Sequence, residues 1–135
     1  MTAGYSGTPL AKKLGYKQGM RLWFGNMPDD VRAEIEAHSG PLAVEAEPAA
    51  GLDAAQLFVT TRTQIEQALP QLRASLAPGG FLWVSWPKKA AKMPTDVTEN
   101  VIRTVVLPMG FVDVKVCAID PVWSGLKLMI RRSER

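Results

Sequence analysis

The run Leu76-Ala-Pro-Gly-Gly-Phe-Leu-Trp-Val-Ser-Trp-Pro-Lys-Lys89 constrains the fold of this chain more than any other segment. Before it, Ile65, Leu69, Leu72 and Leu76 recur at helical spacing. Pro78-Gly79-Gly80 stops that helix, 81–86 reads as an apolar strand, and Trp86-Pro87-Lys88-Lys89 closes it. Helix, glycine turn, apolar strand and polar end make one αβ unit of a parallel sheet. A strand apolar on both of its alternating faces needs helices on both sides. The expected class is α/β. The run predicts a single three-layer domain over 1–135, with a mostly parallel sheet. It specifies a scaffold, not a reaction.

The rest of the chain supplies the other units. Thr8-Pro9 predicts a short helix, Leu10 to Leu14, closed by Gly15. Met20 to Phe24 reads as a buried strand. Asn26-Met-Pro28 opens a second helix with Met27, Val31 and Ile35 inward, ended by Gly40. Pro41 to Glu47 is expected to be a short strand and Ala54 to Thr60 a longer one. Thr63-Gln-Ile-Glu66 has the capping-box pattern, so a helix is expected from there. Pro70 predicts a kink in it, or two abutting helices. Thr95 or Asp96 is expected to cap a further helix with Val97, Val101 and Val105 inward. Phe111 to Asp120 and Leu126 to Arg131 are joined too briefly for a crossover helix, so they are expected as an antiparallel C-terminal hairpin.

Function classes can be narrowed. One cysteine, Cys117, excludes an internal disulfide and a cysteine-based metal framework. The single histidine, His38, excludes a histidine pair for a metal and leaves no Ser-His-Asp arrangement to defend. No apolar stretch has the length of a membrane span or a signal peptide, so a cytoplasmic protein with no membrane partner is expected. A net charge of +3 permits an anionic partner, without the dense basic patches usual in nucleic-acid binders.

These elements, in this order, resemble a trimmed class I methyltransferase (Rossmann-like) sheet. The residues that carry the likeness are Leu76 to Ser85, the Gly110-Phe111 strand start and the final hairpin. The resemblance implies the strand order second, first, third, fourth, sixth, fifth. The whole chain also resembles a bacterial family catalogued as domain of unknown function 3052. That likeness rests on Gly4-Tyr-Ser-Gly-Thr-Pro-Leu-Ala-Lys-Lys-Leu-Gly15, Leu82-Trp-Val-Ser-Trp-Pro-Lys-Lys89, Val112-Asp-Val-Lys-Val-Cys-Ala118 and Trp123-Ser-Gly-Leu-Lys-Leu128. It implies no reaction. Methyltransferases of this class place a glycine-rich loop after the first strand, where only Gly25 stands here. They also place an acidic residue after the second, where Glu45 or Glu47 could serve. S-adenosylmethionine is therefore not expected to bind, and no cofactor is predicted.

Open α/β sheets bind ligands outside the carboxyl ends of their strands. The candidate ligand-binding residues are Trp86, Lys88 and Lys89 after the fourth strand, Asn26 after the first, and Thr61 and Arg62 after the third. Lys88 and Lys89 would supply positive potential, and a following helix could present free N–H groups to an anion. Each has a plainer reading: a solvated lysine pair, Trp86 in the core, and helix capping by Asn26 and the threonines. Trp123 could be exposed as an interface anchor or folded over the core edge. The expected function is a non-catalytic binding or regulatory module that takes a small anionic ligand or a protein. The alternatives are a small enzyme or nucleotide-binding protein using the sheet edge, and a nucleic-acid binder.

Overall fold

The computed structural model describes residues 7–135. Met1–Ser6, which include the start of the Gly4–Gly15 segment, lie outside them. Five strands form one mixed sheet: β1 (Leu22–Gly25), β2 (Leu52–Phe58), β3 (Leu76–Pro87), β4 (Phe111–Ala118) and β5 (Trp123–Ile130). Their order is β1-β2-β3-β5-β4. β1, β2 and β3 are mutually parallel, and β5 runs antiparallel to both β3 and β4. The helices are α1 (Leu10–Leu14), α2 (Asp29–Ser39), α3 (Arg62–Ser75) and α4 (Glu99–Val106).

Alternation along each strand divides the core into two layers. On face A, Leu57, Leu82, Val84, Trp86, Leu126 and Leu128 pack against Ile65, Leu69 and Leu72 of α3 and Ile102 and Val106 of α4. On face B, Leu22, Ala54, Phe58 and Trp83 pack against Leu10 and Leu14 of α1 and Val31 and Ile35 of α2. The expected three-layer α/β domain is thus present. Burial of Val84 and Trp83 to 0 % exposure puts β3 at its centre. No helix among the described residues is long and apolar enough to cross a membrane.

The strand expected over Pro41–Glu47 is not one. It shrinks to a single parallel bridge, Leu22 to Val44. Its position outside β1 keeps the expected strand order with one strand lost. The helix before the glycines ends at Ser75, and β3 starts at once with Leu76 opposite Leu52. Residues 77–80 bulge before Phe81 pairs with Ala54. Gly80 is required there: a Cβ would stand 2.8 Å from the Leu52 carbonyl oxygen and 3.1 Å from that of Asp53.

Three helix expectations change. The capping box is Thr61–Gln64, two residues earlier than Thr63–Glu66. Both quartets fit the pattern, but the Gln64 side chain accepts from the Thr60 and Thr61 amides at 2.7 and 3.1 Å. Of the two outcomes expected at Pro70, the pair of abutting helices is not formed: α3 is one helix that runs through it. Pro70 is exposed, so the bond it cannot make lies on the wet side. α4 is capped by Thr98, not Thr95 or Asp96, and this register turns Ile102 and Val106 inward. Val101 and Val105 are only half-buried, and Val97 is buried ahead of the helix.

Candidate functional site

Every parallel strand ends on the same edge of the sheet, so the ends of β1, β2 and β3 form one rim. The rim is closed over β1 and β2 and open beyond β3. At β1, Trp23 and Gly25 point to the same face, and the indole lies along the strand over the glycine. A Cβ on Gly25 would meet Trp23 Cζ3 at 2.9 Å and Leu57 Cδ1 at 2.8 Å. Gly25 therefore makes room for the chain's own tryptophan. Asn26 follows in the left-handed region, at φ 57°, and its amide donates to the Phe58 carbonyl at 3.3 Å. That hydrogen bond ties the ends of β1 and β2 together.

At β2, a strap from the α4 approach closes the rim. The Thr95 hydroxyl donates to the Thr60 carbonyl at 2.7 Å, and the Asp96 amide reaches the same oxygen at 3.3 Å. The Asp96 carboxylate accepts from the Arg62 amide at 2.8 Å, which satisfies one of the free N–H groups at the start of α3. The Thr61 hydroxyl accepts from the Gln64 amide at 3.2 Å, and the Arg62 guanidinium pairs with Glu66 at 3.2 Å. Asn26, Thr61 and Arg62 thus hold backbone, cap and helix surface, apart from the residues that line the cavity beyond β3.

Beyond β3 the rim stays open. Trp86, Pro87, Lys88, Lys89, Met93, Thr95, Val97, Thr98 and Glu99 enclose a cavity of about 430 Å³. Trp86 is 8 % exposed and forms the apolar floor at the edge of the core. Lys88 is anchored through its amide to the Val122 carbonyl at 2.8 Å, so the β4–β5 turn fixes the strand exit. Lys89 opens a short 3₁₀ turn, and Lys92 closes it in the left-handed region. Glu99 lines the same cavity from the first turn of α4, and Arg103 pairs with its carboxylate. Of the six expected site residues, Trp86, Lys88 and Lys89 come together. On the far wall, the sequence placed only the start of the following helix, near Thr95, beside the lysines; Met93, Val97, Thr98 and Glu99 were not among its candidates, because this stretch has no periodicity.

Of the two acids expected after the lost second strand, Glu45 sits at the wrong end and Glu47 is exposed. The Glu45 amide donates to the Leu22 carbonyl at 2.8 Å, and its carboxylate pairs with Arg21 at 2.8 Å. Both contacts are at the amino end of β1. Trp123 is half-buried and packs edge-on against Phe58, with centroids 5.0 Å apart. Cys117 is half-buried, and burial pushes its thiol above the ordinary range. No group of three or more metal-ligating side chains occurs among the described residues. A wider hollow of about 670 Å³ opens at the amino end of the sheet, where Lys17, Gln18, Asp53 and Phe81 line it beside Gly15, Gly19, Gly79 and Gly80. It lies away from the carboxyl ends of the parallel strands, where open α/β sheets bind their ligands.

No family model matches the chain, and no curated protein matches it. Solved structures do. A SAM-dependent methyltransferase from Aquifex aeolicus superposes with a TM-score of 0.57 at 14 % identity, over 89 % of this chain and 87 % of that one. Fibrillarin from Aeropyrum pernix, solved with natively bound S-adenosyl-L-methionine, gives 0.54 at 13 %, over 93 % and 70 %. Mitomycin 7-O-methyltransferase gives 0.64 at 11 %, over 90 % of this chain but 53 % of the other. At these identities the likeness shows a methyltransferase-like fold.

Proposed function

We propose that this chain is a non-catalytic binding module, built on a methyltransferase-like sheet, that takes a small anionic ligand beyond β3. The observation that carries the reading is Trp23 over Gly25. A cofactor held by close approach to backbone after β1 meets an indole there instead. Glu45, the counterpart of a ribose-binding acid, is engaged with Arg21 at the opposite end of the strand. These residues do not fit S-adenosylmethionine. The cavity at Trp86, Lys88 and Lys89 offers a flat apolar floor and two ammonium groups to a compact anion.

The test is a thermal-shift and calorimetry series with inorganic pyrophosphate, adenosine monophosphate, S-adenosylmethionine and S-adenosylhomocysteine. A probe at a hundred times its dissociation constant adds about 2.7 kcal/mol of stability. The phosphate-bearing probes are expected to stabilise the protein and the two cofactor forms to leave it unchanged. Lys88→Ala with Lys89→Ala should abolish the stabilisation while the ligand-free melting temperature stays nearly constant. Micromolar S-adenosylmethionine binding overturns the reading, as does anion binding that ignores the double variant.

A further inference from the structure

Face B of the C-terminal hairpin carries no helix. The cross-strand rows show what is left there. Phe81 of β3 stands opposite Met129 of β5, which stands opposite Val112 of β4. In the next row, Trp83 stands opposite Lys127, which stands opposite Lys115. Then come Ser85, Gly125 and Cys117. α1 and α2 cover this face as far as Trp83 and Ile119 covers Gly125, while Lys127 and Met129 stay half-buried and Lys115 and Val112 exposed. Val112 is 37 % exposed. Lys13 of α1 borders the open area and donates to the Ala118 carbonyl at 2.8 Å.

The charges here are set unfavourably for folding. Like charges directly opposite across antiparallel strands destabilise a sheet. Lys115 and Lys127 are such a pair, and neither takes part in an ion pair among the described residues, where carboxylates pair with arginines. The Lys127 ammonium lies 4.4 Å over the Phe81 ring. Desolvation there, with the Lys115 charge beside it, pulls Lys127 below the ordinary lysine range. A carboxylate brought to this face would relieve both costs.

We propose that this face docks an acidic amphipathic helix of a partner protein, laid across β5 and β4 where the fold supplies no helix of its own. Val112 and Met129 take the apolar stripe, and Lys115, Lys127 and Lys13 take the acidic border. The mixture of apolar and cationic groups argues for a peptide over a nucleic acid, whose phosphate backbone has no use for valine and methionine. The bulge between Asp113 and Lys115 argues against a second copy pairing along the β4 edge, because it breaks the regular ladder such pairing needs. The site is separate from the cavity beyond β3, and either assignment can fail alone.

The test uses the whole protein and three probes. The first is a set of designed helices with leucine on one stripe and glutamate along both borders. The second is the same peptides scrambled. The third is an oligonucleotide of equal charge. Anisotropy is expected to show binding of the patterned helices, roughly tenfold weaker binding of the scrambled ones, and amide shifts confined to β4, β5 and α1. Lys115→Gln with Lys127→Gln should weaken the patterned helix roughly tenfold or more, with no fall in melting temperature. Val112→Asp should weaken it independently. Failure of every patterned helix to bind overturns the proposal. So does indifference to the double variant, or an oligonucleotide that binds as tightly as the helix.

Discussion

At β1 the indole of Trp23 folds back over Gly25, while at the far side of the same sheet Lys115 and Lys127 stand opposite each other with no helix over them. Both places lie at the margin of the helical layers. At the first, one aromatic ring takes up the space beside the glycine. At the second, nothing closes it, and the residues present repel one another. A fold selected for stability alone would treat the two alike. The difference separates a gap the chain has finished for itself from one it leaves to something else.

The comparison can be broken most forcefully at its centre. Val84 is fully buried between Leu57 and Leu126 on face A. Val84→Asp places an unpaired charge where both faces are covered, at a cost of several kcal/mol, and the protein should not fold. A cooperatively melting Val84→Asp protein, seen by calorimetry, would show that covered and uncovered strands tolerate charge equally.

Next in size is the seal itself. Trp23→Ala should cost about 2–3 kcal/mol in denaturant unfolding, somewhat less than a fully buried tryptophan because Trp23 is only partly buried. It should not create S-adenosylmethionine binding, since Glu45 stays with Arg21. An unchanged unfolding midpoint would mean that the ring covers nothing of value.

Alkaline pH sets the covered and open halves of face B against each other. Burial raises the Tyr16 phenol well above 10.0, with a smaller push from Cys117. Its hydroxyl donates to Gln56 at 2.8 Å, and Gln56 donates on to Ser85 at 3.0 Å. Above about pH 10 the unfolded chain releases this proton first, so stability falls from there upward. Lys127 carries the opposite sign. Its folded value is lowered, so the unfolded chain holds the proton more tightly in the window up to 10.5, and stability rises through that window. Calorimetry across this range should show a shallow rise and then a steep loss, and Lys127→Gln should flatten only the rise.

The smallest effect has the least intuitive sign. Lys115→Gln removes half of a repelling pair and should stabilise the protein by a few tenths of a kcal/mol. A clear drop in the melting temperature would mean that the pair supports the fold, and the uncovered face would lose its case as a binding surface.

Much of this architecture was legible in the chain. Leu10–Leu14 with Gly15, and the hairpin after Phe111, were readable because caps and short connections are local features. The bridge at Val44 was not. Its segment has strand-like residues, but only the three-dimensional neighbourhood of Leu22 decides how many of them pair. The register of α4 hung on which of several threonines caps it, and Thr98 prevails because it turns Ile102 and Val106 inward. For the site, Trp86, Lys88 and Lys89 could be found because they are contiguous at a strand end. The packing of Trp23 over Gly25 could not, because alternation says that the two share a face but not that one lies on the other. Lys115 and Lys127 were equally hidden, since their adjacency is a matter of register across a bulge.

The strand order β1-β2-β3-β5-β4 has a consequence for how the chain is made. β5 is synthesised after β4, yet it sits between β4 and β3. While the ribosome is still producing β4, β3 has a bare hydrogen-bonding edge and β4 has nowhere to attach. α1 meets the same delay at the other end: Lys13 waits for Ala118, 105 residues later. The sheet must therefore close in a late step, with β4 and β5 first pairing locally as a hairpin and then docking together. Nascent chains stalled between Ala118 and Trp123 should be the most exposed to chaperones, because at that moment the apolar edge of β3 is complete and unpaired.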